Sequence, residues 1–466
     1  MLIVQVDVHA CYSSRHIQSL SQTMVNHYKQ HIAVLRARYQ VLIEEQEQSG
    51  QPIDGLLIHS GSENFHYADD QASPFRAYGH FCHWLPINRP DQMLLISPGK
   101  NPVYFQVIPS DYWFDQSIEN ASWWCDEFEI VTLTATNQIA HYLDNSGRVA
   151  FLGENTTFAR ELGLDQRLVN PSALIHNLDF HRAYKSNYEI EQIRAANTEA
   201  FIGHNAAKNC FENDGSEYDI HMSFLQACNI LEEDSPYTNI VALNEKSAIL
   251  HYQHKLRRRE QDSSEKSQVL LIDAGCRVNN YCSDITRTST RSHTHAVFQS
   301  LVIEMEELQL NLVSRVSIGL SYIDFHRTAL ELLTHTLIKH ELINCSIDQA
   351  LGQSLASLFM PHGIGHLLGI QVHDVGGHYC DAKGGKKLPP EEFPYLRNTR
   401  VMEQNMVFTV EPGLYFIPVL LNQERSTPKG KNLNWKLIDE LLPLGGIRVE
   451  DNVLVRKSSV VNLTRQ

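Results

Sequence analysis

The chain has 466 residues, is 42% hydrophobic and 20% charged, and carries a formal net charge of −15 at pH 7. That length allows two or three domains around a large core, and the acidic balance argues against nucleic acid or anionic lipid as a main partner. The 9 cysteines include no C-x-x-C pair, which fits reduced thiols and a cytoplasmic setting; no apolar run approaches the roughly 18 residues that span a bilayer, so no membrane partner is expected.

In chain order, residues 1–11 lack the basic start of a secretory signal. A helical pattern opens at Met24, where Ile32, Leu35, Tyr39, Leu42 and Ile43 recur at three- and four-residue spacings and predict one buried face. Short apolar runs at 56–59, 93–97, 103–108, 128–133 and 149–152 alternate with turn residues, and helical patterns fall between some of them. They predict a mixed α/β domain ending near Phe180. A long helix is expected over 187–211, with Ile190, Ile193, Ala196 and Phe201 on one side. The basic run 255–259 and the Gly-Lys-Pro stretch 384–390 are expected to be solvated loops. Beyond the boundary, strand-like segments at 269–275 and 407–415 are separated by helices such as 299–313. The expected organisation is an extension at 1–23, an N-terminal domain at 24–182 and a second domain at 183–466.

Four segments of the second half could carry chemistry. The first is the run from Leu271 to Arg287, in which two strand-like stretches flank a turn. If that turn centres on Val278 and Asn279, Asp273 and Asp284 stand opposite each other, about 5 Å apart at Cβ. Carboxylates that close repel unless a proton or cation lies between them. Taken alone, the hairpin fits equally well one buried capping aspartate and one exposed one. The second segment, Pro361 to Asp374, holds His362, His366 and His373 at spacings of four and seven among glycines that allow close backbone approach. Imidazole is both a common metal ligand and a proton shuttle. The third ends an apolar strand with Glu411 before Pro412-Gly413. The fourth places Arg448 and Glu450 two apart on one strand face; by itself this pair reads as a surface salt bridge. Together, four carboxylates and a histidine make an oxygen-rich set suited to two hard divalent cations. Mn2+ suits it better than a thiolate-type zinc site would be suited. Two such cations can share a hydroxide nucleophile.

On these segments the sequence resembles the M24 peptidase family, with its pita-bread catalytic fold, and within it the bacterial Xaa-Pro dipeptidases. The resemblance runs from about Met24 to near the C-terminus. It implies an α/β (α+β) chain: a mixed-sheet N-terminal domain followed by the pita-bread domain. It implies two divalent metal ions per subunit, with Asp273 on one, His366 and Glu411 on the other, and Asp284 and Glu450 bridging. Glu411 would take a proton from the attacking water, and His362, His373 and Arg448 would act on the substrate. Softer matches imply a pocket of Tyr237, His251, Tyr322, Val372 and Leu396. Arg400 stands either as a reader of the substrate carboxylate or as a surface charge. Asp70 would reach a partner's pocket in a homodimer. The expected reaction is cleavage of dipeptides with C-terminal proline by a metal-bridging hydroxide. The alternatives are aminopeptidase P-like action on longer peptides, phosphotriester hydrolysis with the same metals, and a non-catalytic binding module. Residues 1–23 precede the usual family start, so either Met24 is the authentic start or the extension is disordered. About four extra residues between His251 and Asp273 are expected to alter a loop near the pocket.

Overall fold

The computed structural model describes residues 14–48, 50, 52–116, 122–143, 148–257 and 267–465. The described chain divides into two compact units, one of residues up to Pro171 with Ser186–Glu191, the other of Ser172–Lys185 with Gln192 onward.

The first unit opens with helix α1 (Ser14–Gln48). It starts earlier than the Met24 pattern, because the segment from Ser14 holds no glycine or proline and nothing stops propagation. Residues 14–23 belong to this helix, and residues 1–13 lie outside the described residues. The expected face is buried, with Ile32, Leu35, Tyr39, Leu42 and Ile43 all below 5% exposure. Strand β1 (Gly55–His59) and short helix α2 (Gly79–Cys82) follow. Strands β2 (Met93–Ile96), β3 (Val103–Val107), β4 (Glu129–Leu133) and β5 (Val149–Leu152) complete a mixed sheet of order β4-β3-β2-β1-β5. β1–β2 and β2–β3 are antiparallel, whereas β1–β5 and β3–β4 are parallel. Helix α3 (Thr156–Glu161) packs Phe158 and Ala159 into the cluster of Leu57, Phe105 and Phe151.

The second unit contains α4 (Ser172–Arg182), α5 (Asn187–Glu212) from Gln192 onward, and α6 (Glu217–Cys228). On α5 the buried face continues from Ile193 and Ala196 to Ala200, Ala207 and Phe211. Phe201, expected on that face, is 46% exposed; two turns at 3.6 residues per turn lead from 193 to 200. Strands β6 (Ile240–Leu243), β7 (Val269–Asp273) and β10 (Thr286–Thr290) form one sheet, with the two-residue strands β8 (Arg277–Val278) and β9 (Tyr281–Cys282) between β7 and β10 in sequence. Helices α7 (Ala296–Arg315), α8 (Tyr322–Lys339) and α9 (Ile347–Gly352) come next. The chain returns as β11 (Val407–Val410), β12 (Gly413–Tyr415), β13 (Gly446–Arg448), β14 (Asp451–Val455) and β15 (Val460–Asn462). Leu301, Met305, Leu308 and Leu312 of α7 share one core with Leu333 and Leu337 of α8 and with Phe408, Val410 and Leu414. Each such side chain contributes about 1.5–3 kcal/mol on burial. The run 407–415 is two strands rather than one, because Pro412 has no N–H to continue a ladder. The tail of the basic run, 258–259, lies outside the described residues.

The β7–β10 hairpin corrects one detail of the sequence reading. Its tip pairs Val278 with Tyr281, so the turn residues are Asn279 and Asn280, both with positive φ (46° and 73°). Asparagine tolerates that left-handed region and β-branched valine does not. Moving the turn by one residue moves every partner by two, and Asp273 pairs with Thr286 instead of Asp284. A shift of two keeps the face unchanged, so Asp284 stands diagonally beside Asp273. Gly275 permits this crossing: a Cβ there would lie 2.0 Å from the Ser283 carbonyl oxygen.

Candidate metal centre

Three local ladders place the carboxylates and histidines. The hairpin just described supplies Asp273 and Asp284. Backbone bonds Leu368 N to Val407 O, Thr409 N to His366 O and Glu411 N to Ile364 O run β11 and its extension against residues 364–368. His366 thus faces Thr409, with Glu411 one diagonal step away. Gly365 sits inside this crossing, where a Cβ would meet the Thr409 carbonyl oxygen at 2.2 Å and the Tyr322 hydroxyl at 2.4 Å. Glu450 bridges to Thr286, which brings it to the end of β10.

Asp273, Asp284, His366, Glu411 and Glu450 border one cavity of about 290 Å3, together with Leu250, His251, His362, His373, Arg397 and Arg448. Donor atoms of Asp284, His366 and Glu450 lie within 4.8 Å of one another and could hold an ion. His366 Nε2 is 3.3 Å from Asp284 Oδ2 and 3.6 Å from Glu411 Oε1. Its Nδ1 donates to the Leu367 carbonyl at 3.1 Å, which leaves the Nε2 lone pair facing the carboxylates. The Tyr237 hydroxyl lies 2.7 Å from Asp273 Oδ1 and 2.6 Å from Asp284 Oδ1. One hydroxyl has one hydrogen to give, so a second positive centre or proton is required between these carboxylates. Glu450 Oε2 accepts from Thr286 at 2.7 Å, while its buried Oε1 has no hydrogen-bond partner.

The electrostatics point the same way. Burial, reinforced by Asp284, pushes Asp273 up to about 6 although Arg448 opposes it. Burial pushes Glu411 up to about 7 against the pull of His366 and Arg448. Glu450 is held well above the usual carboxylate range by burial and by Asp284, Glu411 and Asp273. For Asp284, burial is overruled by the His366 bond and charge, and the carboxyl is lowered. A buried Glu450 oxygen without a hydrogen-bond partner, among carboxylates three of which are pushed up by burial, fits a divalent-cation site. The donor set fits the expected metals.

Arg448 ties the two sides of the cavity together. Its Nη2 donates to Asp273 Oδ2 at 2.6 Å, its Nε to Thr286 Oγ1 at 3.1 Å and its Nη1 to the Tyr415 hydroxyl at 3.0 Å. Tyr415 in turn lies 3.0 Å from His362 Nε2, and His362 Nδ1 lies 2.7 Å from the Gly363 carbonyl oxygen. Burial and the Arg448 charge press His362 down to about 3, so it is neutral. The His373 ring meets His366 edge to face at 4.4 Å between centroids.

The softer pocket expectations fare unevenly. His251 borders the cavity. Tyr237 does not border it; its hydroxyl is spent on Asp273 and Asp284. Tyr322 is fully buried and donates to the Thr409 carbonyl at 2.9 Å, so it shapes the Gly365 crossing. Leu396 is buried behind Gly363 and borders a neighbouring cavity with His326 and Phe393. Val372 is half-buried and outside the cavity wall. Arg400 is 5% exposed, donates to the Phe180 carbonyl and the Tyr184 hydroxyl, and stacks 4.0 Å over the Phe180 ring. Its cation is used inside the fold, whereas Arg397, which the sequence reading passed over, borders the cavity alongside Arg448. Three residues apart in a loop without strand or helix, the two arginines have no periodicity to separate them. Thr286 and Tyr415 were also missed; one opens the polar strand Thr286–Thr290 and the other ends the apolar run from 407, and a single hydroxyl in either carries no spacing signal. Asp70 belongs to the first unit and is exposed. The other buried donor group there, His31, His83 and Glu189, has His31 engaged at both nitrogens, by the Ser186 hydroxyl at 2.9 Å and the His83 carbonyl at 2.8 Å.

These features define a metallopeptidase. Residues 191–457 match the model of metallopeptidase family M24, and residues 26–180 match that of the Xaa-Pro dipeptidase N-terminal domain. The chain belongs to family M24 and is a metal-dependent peptidase using divalent ions. It is similar to the Xaa-Pro dipeptidase of Pseudoalteromonas atlantica, 40% identical over 452 residues that span 95% of this chain and 99% of that protein. The Xaa-Pro dipeptidase of Aeromonas hydrophila is 40% identical over 441 residues, 94% of this chain and 98% of the relative. Among solved structures, E. coli aminopeptidase P with the inhibitor Pro-Leu superposes with a TM-score of 0.70 over 95% of each chain at 21% identity. That likeness is one of fold, the mixed α/β domain followed by the pita-bread domain. Among the described residues no helix is long and apolar enough to cross a membrane.

Proposed function

We propose that the protein hydrolyses dipeptides with proline at the C-terminal position. The observation that carries this reading is the cavity itself: about 290 Å3, at the small end for a ligand pocket, and bordered both by the metal-ligand candidates and by Arg397. A dipeptide's free carboxylate pairs with Arg397, and its carbonyl lies toward the metal-ligand side. Proline's amide lacks the N–H that general peptidases grip, so recognition falls to the two chain ends.

Asp273, Asp284, His366, Glu411 and Glu450 would hold two divalent ions, Mn2+ by the hardness of the donors. When bound, these ions polarise the carbonyl and acidify water. The Glu411 carboxylate accepts the proton of the attacking water and passes it on to the leaving proline nitrogen. Neutral His362 and His373 contact the carbonyl region, and Arg448 keeps Asp273 ionised and in place. Exclusion of water by the apolar Leu250 and Pro361 wall strengthens each of these interactions. The reading includes a cytoplasmic setting, and a homodimer in which Asp70 approaches a partner's cavity.

The test compares kcat/KM for an Xaa-Pro dipeptide with that for an Xaa-Pro-Yaa-Zaa peptide, using Mn2+-loaded protein. Preference for the dipeptide by about tenfold or more is expected; preference for the longer peptide would show aminopeptidase P-like action instead. A phosphotriester measured alongside is expected to be the poorer substrate.

A further inference from the structure

The loop from His366 to Asp374 links the metal cluster to the substrate side, and its far end is held by a buried charge trio. Asp374 Oδ1 accepts from Arg182 Nη2 at 2.5 Å and Oδ2 accepts from Lys185 Nζ at 2.8 Å. The three side chains are 1%, 3% and 1% exposed. Arg182 also donates to Gln371 Oε1 at 3.1 Å, and Lys185 to the Arg182 carbonyl at 2.6 Å. Three charges out of water are costly unless their geometry is met by good hydrogen bonds, and here the bonds are short and the carboxylate is used at both oxygens.

The rest of the loop is fixed by backbone. Leu368 N donates to Val407 O at 3.1 Å, Cys282 N to Gly369 O at 2.8 Å, and Asp374 N to Leu367 O at 2.9 Å. Gly369 leaves room for the trio: a Cβ there would stand 2.2 Å from Asp374 Oδ2 and 2.9 Å from Lys185 Cε. The residue next to Asp374 is His373, which is exposed and whose ring is placed against His366 by edge-to-face contact. An exposed ring with one aromatic contact takes its position from its backbone, and that backbone is anchored one residue on.

We propose that Asp374, clamped between Arg182 and Lys185, is a positioning residue that sets where the His373 imidazole stands beside the metal cluster. This rests on the reading that His373 acts on the substrate. Neither cation reaches the reacting atoms; the clamp works through the loop. A displacement of about 1 Å at a reacting group lowers rate by up to about a hundredfold, so the expected effect falls on kcat.

The experiment is a double-mutant cycle on the full-length, Mn2+-loaded protein with an Xaa-Pro dipeptide. Asp374→Asn, His373→Ala and the pair are measured for kcat, KM and bound metal per chain. Asp374→Asn is expected to lower kcat by about tenfold to a hundredfold, with KM and metal content within about threefold of the parent. In the His373→Ala background the same change should cost less than about threefold. Equal losses in both backgrounds, or a loss confined to KM or to metal content, would overturn the proposal. Full kcat in His373→Ala would overturn the reading of His373 itself, and the clamp's role with it. Loss in His373→Ala with none in Asp374→Asn sinks the clamp alone. Should Asp374→Asn not fold, Gly369→Ala displaces the carboxylate while keeping every charge, and the same pattern of losses is required of it.

Discussion

Metal binding to this site should expel protons, and their number follows from the carboxylates. In the metal-free protein Glu411 titrates near 7 and Asp273 near 6. At about pH 6 the first is roughly nine-tenths protonated and the second half, which sums to about one and a half protons. Glu450, which burial and the neighbouring carboxylates hold well above the usual carboxylate range, adds to that number. Cations bind the ionised forms, so these protons must leave. The sign is fixed: raised acid pKa values mean the metal-free fold holds protons that the loaded one does not, and affinity rises as pH rises through 6 and 7. A release of at least one proton corresponds to about a tenfold or greater gain in affinity per pH unit in that window. Calorimetric titration of Mn2+ into chelator-stripped protein near pH 6, in two buffers of different ionisation enthalpy, counts the protons directly. Glu411→Gln should remove about one of them. Identical heats in both buffers, or an affinity flat between pH 6 and 8, would refute the reasoning.

The two arginines of the 395–400 segment should separate cleanly. Arg397→Leu is expected to raise KM for the free dipeptide about tenfold to a hundredfold, the worth of a charge-assisted bond, and to leave KM for the dipeptide amide unchanged. Arg400→Leu should leave KM alone and lower stability by about 2–4 kcal/mol, read from the shift of the urea unfolding curve, since it strips the Phe180 carbonyl and Tyr184 of a buried partner. Gly275→Ala should destabilise by about 1–3 kcal/mol through overpacking against Ser283 and weaken Mn2+ binding together with it; a parental Tm in that variant would contradict the hairpin geometry.

Periodicity made the strands and the face of α1 legible, because burial on one side leaves a pattern in a single sequence. It failed at Phe201, where the pattern was followed by one residue too many, and at Asn279-Asn280, where turn chemistry outweighs symmetry of the flanking runs. The carboxylates and histidines could be picked out because so many titratable groups among glycines have few other uses. The pocket was less legible. Tyr322 and Arg400 carry the same side chains a ligand would want, and whether such a group faces a cavity or a carbonyl depends on contacts far away in sequence. Arg182 and Lys185 gave no sign at all of their tie to Asp374, about 190 residues on.

Arg448 has one further consequence. Its three bonded nitrogens lie in one rigid plane, and they end on Asp273, Thr286 and Tyr415, the last in contact with His362. Three fixed points triangulate: strands β10, β12 and the end of β7 cannot drift independently while that plane is intact. Thermal motion in the surrounding loops is therefore felt on both sides of the cavity as a common displacement, and the spacing between the acidic wall and the imidazole of His362 is preserved through it. A lysine, with one mobile point of charge, would neutralise Asp273 equally well and survey nothing.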